Sequence, residues 1–285
     1  MGKQVREPVW AGQFYPAEPG RLNGQIEGYL DAAPDQPLPG RLIGLIVPHA
    51  GYDYSGATAA AAYRQIRSKA YSTVFLLAPS HVEAFSGVSV YDGDCYRSPL
   101  GIVPVDKEAA RAVAAAHRDI QLSSAGHGAK EGRAEHSLEV QIPFLQVALG
   151  HEFEVVPIVF HDFSVENCRN LGHALAGLLD PGSTLLVASS DLYHGYSYEE
   201  CVRTDDRTVE CIEAMEIEEF CLGAAKGRYL ACGAGPIGAL LYTASEIGPA
   251  RVTLAARTNS ADVTGVRGGW TVGYASFCVS RAADS

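Results

Sequence analysis

The sequence lacks the features that mark secreted and membrane proteins. No apolar stretch approaches the ~20 residues of a membrane-spanning helix, and the opening MGKQVREPVW contains no apolar signal segment. The 7 cysteines, an odd number, lie at wide spacings without a CxxC pair. Together these absences predict a reduced, cytoplasmic protein that makes no contact with a membrane.

The charge balance argues against nucleic acid as a partner. The chain carries 22 Lys and Arg against 33 Asp and Glu, a formal net charge of -11, and its basic residues are scattered. Such a chain repels a phosphate backbone unless the fold assembles a basic patch. The sequence therefore predicts a protein that binds no nucleic acid.

Length and composition are those of a globular protein with a large core. Of the 285 residues, 47% are hydrophobic and 19% are charged, which is enough apolar material for one extended core. No repeat of fixed period, low-complexity segment or linker interrupts the chain. We therefore expect a single α/β domain over residues 1–285. The sequence leaves the oligomeric state open.

Apolar runs and helical patterns alternate along the chain. The runs are short, β-branched or aromatic, and they predict strands at 42–47, 73–78, 154–160, 184–188 and 271–279. Segments with helical spacing predict helices at 55–67, 107–116, 137–149, 165–179, 199–225 and 235–247. Pro143 indicates a kink or a late start in the third of these helices. The alternation predicts a central, mainly parallel or mixed sheet with helices on both faces.

Three apolar runs end in tight, small-residue turns that each deliver a histidine. LIGLIVPH ends at His49, TVFLLAPSH ends at His81, and TLLVASSDLYH ends at His194. Ligands of α/β proteins bind at the carboxyl ends of the strands, so these imidazoles are expected to share one crevice. A single histidine of this kind is more often a hydrogen-bonded core residue, but two at matched strand ends favour a metal site.

The chemistry of the predicted site restricts its metal and offers a third ligand. Neutral imidazoles bind borderline ions such as Zn²⁺, Fe²⁺ or Cu²⁺ when a rigid element holds them. Cys232, in LACGAGPIGALL, lies near the start of a predicted helix, where partial positive charge favours a thiolate ligand. A small buried cysteine beneath a glycine turn is an equally good explanation of this position.

Two acidic motifs accompany the histidines. Asp191 precedes His194 by three residues, a spacing that lets its carboxylate orient the imidazole, bind metal or cap a helix. In EHSLEVQ, Glu135, His136 and Glu139 do not form the zinc-protease signature, whose two histidines stand four residues apart. Helix capping, or support of metal ligands by residues that do not touch the ion, explains this motif.

Several ordered motifs carry a family resemblance that spans nearly the whole chain. They are REPVWAGQFYP at 6–16, PHAGYDYSG at 48–56, APSH at 78–81, EHSLEVQIPFL at 135–145, SSDLYH at 189–194, CGAGPIGALL at 232–241, NSADVTG at 259–265 and VGYASF at 272–277. Together they resemble the Memo-like family, of the AmmeMemoRadiSam system protein B type. That family is similar in fold to the class III non-haem iron extradiol dioxygenases, so the resemblance implies an α/β sheet of that type.

Carried over residue by residue, the resemblance implies a metal set of His49, His81 and Cys232, with Asp191 and His194 beside it. The implied ion is Fe(II), with Cu or Zn as alternatives. The dioxygenases use a carboxylate as third ligand where this chain has a cysteine, and a thiolate also suits copper or zinc. The implied substrates are a small catechol-like diol and O2, with His194 as general base and then acid, and Asp191 orienting its ring.

Three other functions remain open at this point. A non-enzymatic protein that binds iron or copper, with a redox or signalling role and a protein partner, needs the metal set but no acid–base pair. A zinc hydrolase would use Glu139 or Asp191 as the base that activates metal-bound water. A cysteine hydrolase would attack through Cys232 with a histidine as base, and it would survive removal of the metal.

Overall fold

The computed structural model describes residues 3–130, 133–180 and 182–282. Its strands are β1 Val5–Arg6, β2 Gly40–Val47, β3 Thr73–Pro79, β4 Val88–Tyr91, β5 Cys95–Ser98, β6 Gly101–Pro104, β7 Ile120–Ser123, β8 Ala129–Lys130, β9 Arg133–Ala134, β10 Glu154–Phe160, β11 Thr184–Ser189, β12 His194–Gly195, β13 Ala250–Asn259 and β14 Thr271–Ala282. Its helices are α1 Pro19–Ala32, α2 Tyr52–Tyr63, a 3₁₀ turn at Arg64–Ile66, α3 Lys107–Ala116, α4 Gln141–Leu149, α5 Val165–Ala176, α6 Tyr198–Glu213, α7 Ile217–Ala225, α8 Ala234–Glu246 and α9 Ser260–Thr264. No helix within these ranges is long and apolar enough to cross a membrane.

A mixed sheet forms the centre of the fold. Over the described ranges it has nine strands in the order β12-β14-β2-β11-β3-β10-β4-β7, with β13 paired to β14. The four central strands, β2, β11, β3 and β10, are mutually parallel, whereas β14 and β4 join them antiparallel. The central strands are continuous apolar runs because both of their faces are buried.

Two groups of helices flank this sheet. Helix α2 packs against β2, β13 and β14 and against α1 and α4. Helix α8 packs against β2, β3, β10 and β11 and against α5 and α7. The predicted fold class, a mainly parallel or mixed sheet with helices on both faces, is thereby confirmed.

Most predicted elements are present, with shifted ends. All five predicted strands form, and the predicted helix 137–149 begins late, at Gln141, so that Pro143 lies in its first turn, where it leaves no broken hydrogen bond. The predicted helix 199–225 is two helices, because Met215 adopts a left-handed φ of 56° between α6 and α7. Helix α1 and the long strand β13 are additional elements that the apolar periodicity did not predict.

The register of the parallel strands brings the predicted site together. Strand β11 lies between β2 and β3, with Ser189 opposite Val47 and Ala188 opposite Leu77. His49, His81 and Asp191 each follow the last residue of their strand by two positions. All three therefore leave the same edge of the sheet at equal distance from its end.

Candidate metal centre

His49 is a buried imidazole, and a serine hydrogen-bonds the ring nitrogen that faces away from the cluster. Its Nδ1 lies 2.9 Å from Ser189 Oγ, and that hydroxyl donates to the Ser137 carbonyl at 2.7 Å while accepting from the Gln141 amide at 2.9 Å. The serine proton is thus already used, so His49 Nδ1 must be the donor and Nε2 keeps the lone pair. Burial, and then the charge of His81, hold the pKa of His49 well below its usual value, which favours a neutral ligand.

His81 is held from two directions by the carboxylate of Glu135. Its Nδ1 lies 3.0 Å from Glu135 Oε1, and its backbone N–H donates to Oε2 at 2.5 Å. Burial opposes protonation of His81, but bonds to Cys232 and Glu135 prevail and raise its pKa to about 10. Burial likewise disfavours the Glu135 anion, yet the bond to His81 and its charge lower the pKa of Glu135 to about 2. The pair leaves His81 Nε2 directed away from the carboxylate.

The thiol of Cys232 lies against both imidazoles, just before helix α8. Its Sγ is 3.1 Å from His49 Nε2, and the thiol also helps to raise the pKa of His81. The Asp191 N–H donates to the sulfur at 3.2 Å, and the Cys232 N–H donates back to the Asp191 carbonyl at 3.1 Å. Burial raises the pKa of this half-buried thiol, and the bond with His81 opposes that rise.

His136 completes the cluster and was not predicted as a ligand. One ligand atom from each of His49, His81 and His136 lies within 4.8 Å of the others. The His136 ring stacks on His81 at a centroid distance of 4.8 Å, and burial lowers its pKa to about 4. His136 follows only the two-residue strand β9, which no apolar run marks, so the strand-end signal could not find it; only its place in the EHSLEVQIPFL motif marks it.

Glu139 anchors the amino-terminal segment over this cluster. Its carboxylate is 2% exposed and accepts from the N–H of Trp10 at 2.7 Å and from the Tyr15 hydroxyl at 2.7 Å, and it pairs with Arg6 at 3.1 Å. The anchored segment lays Trp10 and Phe14 against His136, with ring centroids 5.9 and 4.8 Å from it. Glu139 thus fixes this segment and is saturated with donors.

Asp191 and His194 lie near the cluster but not as the expected pair. The buried Asp191 carboxylate accepts the His49 N–H at 2.8 Å, whereas His194 Nδ1 lies 3.1 Å from the Leu192 carbonyl. No hydrogen bond joins the two side chains in the described part of the chain. The expectation that Asp191 orients the His194 ring is therefore wrong, because the carboxylate is turned to the backbone after β2. Burial raises the pKa of Asp191 to about 7.

The donor set fits a transition-metal ion. When an imidazole nitrogen and a thiolate sulfur bind the same tetrahedral ion, the two atoms are roughly 3.6 Å apart. The distance between His49 Nε2 and Cys232 Sγ is close to this, at 3.1 Å. The second nitrogen of each strand-end imidazole is held by Ser189 or Glu135, as metal-binding histidines require. The His81 and His136 side chains keep 31% and 20% of their surface exposed, so the cluster opens to solvent on that side.

Comparison with known proteins agrees with this fold. A MEMO1 family protein of Nitrosopumilus maritimus is 34% identical over 266 residues, covering 92% of this chain and 94% of its own length. A MEMO1 family protein of Aeropyrum pernix is 36% identical over 286 residues, covering 95% and 98%. The crystal structure of JW3007 from Escherichia coli K12, described there as uncharacterized, matches 84% of this chain and 100% of its own with a TM-score of 0.54; at 13% identity it is a likeness of fold alone. The family described as Memo-like protein matches residues 6–278, and this chain belongs to it.

Proposed function

We propose that His49, His81 and Cys232 bind a redox-active transition metal, Fe(II) first among the candidates, and that the centre oxidises a small catechol-like diol with O2. One observation carries this proposal. Two imidazoles and a thiol from three distant segments converge, with the other nitrogen of each ring already bonded to Ser189 or Glu135. Such preorganisation is typical of metal ligands and is not needed for packing.

When bound, the ion would supply Lewis acidity towards the diol and electrons towards O2. The residues do the rest. Leu192 accepts from His194 Nδ1, so the neutral ring keeps its lone pair on Nε2, the arrangement of a general base. Partial desolvation, and then the charge of His81, lower the pKa of His194 and favour that neutral form. His194 is exposed and so accessible to a substrate hydroxyl.

Cys232 is proposed as third ligand in preference to His136. The Cys232 sulfur lies 3.1 Å from His49 Nε2, whereas the His136 ring stacks in near-parallel fashion on His81, at an interplanar angle of 17°. The variants Cys232→Ser and His136→Gln separate the two. Loss of iron affinity on changing Cys232, with His136→Gln near wild type, supports the assignment; the reverse order transfers the role to His136.

The test of the proposed function is anaerobic purification, metal analysis by mass spectrometry, and O2 uptake with a panel of catechols. We expect one iron per chain and uptake that depends on the catechol. His49→Ala and His81→Ala should lose both, whereas the matched control His173→Ala, on the exposed face of α5, should lose neither. Stoichiometric zinc without O2 uptake would overturn the proposal.

A second candidate is a metal-binding protein with a redox or signalling role and no turnover. It is favoured by the position of Asp191, whose carboxylate holds the His49 backbone and does not pair with His194. Substitution of His194 separates the two candidates. His194→Gln should abolish O2 uptake in a dioxygenase and should leave the role of a non-catalytic metal protein intact.

The two hydrolase functions have less support. Glu139, one base considered for a zinc hydrolase, is saturated by Arg6, Trp10 and Tyr15. The Cys232 thiol has a raised pKa, the opposite of an activated nucleophile. Retention of hydrolytic activity after complete removal of metal would instead support a cysteine hydrolase.

A further inference from the structure

Two large aromatic side chains stand exposed next to His194. Trp270 is 56% exposed and Tyr196 is 76% exposed, although residues of this size are normally well covered. Their rings contact each other edge to face at a centroid distance of 5.0 Å. The pair therefore presents aromatic surface that the fold itself does not use.

The strand pairing places this surface beside the metal centre. Trp270 directly precedes β14, and the first two residues of that strand pair with His194 and Gly195 of β12. The indole lies 6.3 Å from the His194 ring, centroid to centroid. His194 lies three residues after Asp191, whose carboxylate accepts the His49 N–H at 2.8 Å and whose own N–H donates to Cys232 Sγ at 3.2 Å. A path from the cluster to Trp270 thus passes His194.

The backbone around Trp270 is built to present its ring. Gly268 and Gly269 have φ values of 107° and 104°, a region that L side chains rarely adopt, so the chain turns sharply just before the indole. The following residue is already held in the sheet, which limits how far the ring can move. This turn holds the apolar indole ring at the surface, although burying the ring would lower the free energy of the folded protein.

We propose that Trp270 and Tyr196 form an aryl-binding platform at the mouth of the metal centre, which selects substrates carrying a second aromatic ring beyond the diol. This inference rests on the proposed function, since it assigns a substrate class to that site. A planar ring gains from edge-to-face or offset contact with indole and phenol beyond the gain from burial alone, so the platform distinguishes aryl from saturated substituents.

The test compares three catechols that differ only in the 4-substituent: methyl, cyclohexyl and phenyl. Binding to the iron-loaded protein is measured anaerobically by isothermal titration calorimetry. The cyclohexyl group matches phenyl in size but lacks its π-system. For the wild type we expect 4-phenylcatechol to bind roughly tenfold more tightly than 4-methylcatechol, with the cyclohexyl compound between them.

The variants assign that preference to the platform. Trp270→Ala should remove the phenyl advantage, Trp270→Phe should keep part of it, and Tyr196→Ala should reduce it. Ile102→Ala, a matched control at a side chain that is 50% exposed, should leave it unchanged. Thermal unfolding checks that each variant is folded. We expect the Trp270 variants to fold because this side chain is largely exposed.

The outcomes separate this inference from the proposed function. An unchanged phenyl-to-methyl ratio in folded Trp270→Ala, or a wild type without phenyl preference, overturns the platform even if O2 uptake is present. A preference that depends on Trp270 without any O2 uptake supports the platform as a ligand site and overturns the dioxygenase.

Discussion

At the scale of single residues, the site depends on the groups behind the histidines. Ser189 and Glu135 each bond the imidazole nitrogen that faces away from the cluster, which fixes the orientation of each ring. Glu135 also accepts the backbone N–H groups of His136 and Ser137 at 2.9 Å. One buried carboxylate thus fixes the turns that carry two of the three histidines.

Glu135→Gln is expected to weaken metal binding by roughly 10- to 100-fold while leaving the protein folded. The amide keeps the size of the carboxylate but loses the negative charge that holds the His81 ring. Metal affinity, measured by competition with a chelator, checks this. Glu210→Gln, at an exposed position of α6, is the matched control and should bind metal as the wild type does. Wild-type affinity in Glu135→Gln would contradict the role given to this carboxylate.

A second residue-scale prediction concerns Asp205, which supports the His194 loop. Its carboxylate is 2% exposed and accepts the Tyr193 N–H at 3.1 Å. Burial raises the pKa of Asp205 to about 6, against hydrogen bonds that lower it. At this carboxyl the folded protein therefore binds more protons than the unfolded chain between about pH 4 and 6, so the contribution of Asp205 to stability falls as pH rises through that window, on the order of 3 kcal/mol.

Asp205→Asn cannot titrate, so it should lack this part of the decline. Urea unfolding from pH 4 to 7 measures the difference between the variant and the wild type. Parallel pH profiles for wild type and Asp205→Asn would show that the proton is not held at this position.

At the scale of elements, helix α8, which begins two residues after Cys232, is held by two neighbouring helices. Helix α8 packs against α5 and α7, and Gly238 provides the space for the thiols of Cys168 and Cys221. A Cβ at Gly238 would stand 2.7 Å from Cys221 Sγ and 3.2 Å from Cys168 Sγ. The three helices therefore pack closely at Gly238, because glycine has no side chain to separate them.

Gly238→Ala is expected to destabilise the fold by about 1–3 kcal/mol, because the new methyl overpacks the interface. The second change Cys221→Ala removes the sulfur it meets and should restore much of the loss. Gly24→Ala in α1, where nothing lies within 4 Å of the new Cβ, should instead be neutral or stabilising. Chemical unfolding of the four proteins checks the order, and a double variant no better than Gly238→Ala would contradict it.

At the scale of the whole molecule, the site joins parts of the chain that are far apart in sequence. His49 and His81 follow two different strands and Cys232 precedes helix α8. Glu139 ties the amino-terminal segment to the same region. A bound ion bridges these segments only in the folded state, because the unfolded chain does not hold the ligands together. Metal binding is therefore linked to global stability.

Metal at 100 times its dissociation constant should stabilise the protein by about 2.7 kcal/mol and raise Tm by several degrees. Differential scanning fluorimetry with Fe(II) under anaerobic conditions, or with Zn²⁺, measures the shift. A chelator should reverse the shift, and His49→Ala together with His81→Ala should abolish it. An equal shift in that double variant would show that the metal binds elsewhere.

Local patterns in the sequence were sufficient to predict the five apolar strands and the positions of His49 and His81 after two of them. The runs ending at Val47 and Pro79 are apolar on both faces, so burial and β-propensity agree, and the turns after them deliver His49 and His81 without any long-range information. Strand β13 is different: many of its residues are only partly buried, so its apolar signal is weak and its pairing with β14 provides the stability. The break between α6 and α7 at Met215, where φ is 56°, is another feature that the helical pattern did not predict.

The sequence by itself determined the α/β class and that His49, His81 and Asp191 each come shortly after the end of a strand, because both follow from local burial and turn chemistry. Only the tertiary structure decided that β11 lies between β2 and β3, that His136 joins the cluster, and that Asp191 faces the His49 backbone while His194 turns towards Leu192. These outcomes depend on strand order and on hydrogen bonds between residues distant in sequence, and no periodicity within one segment carries that information.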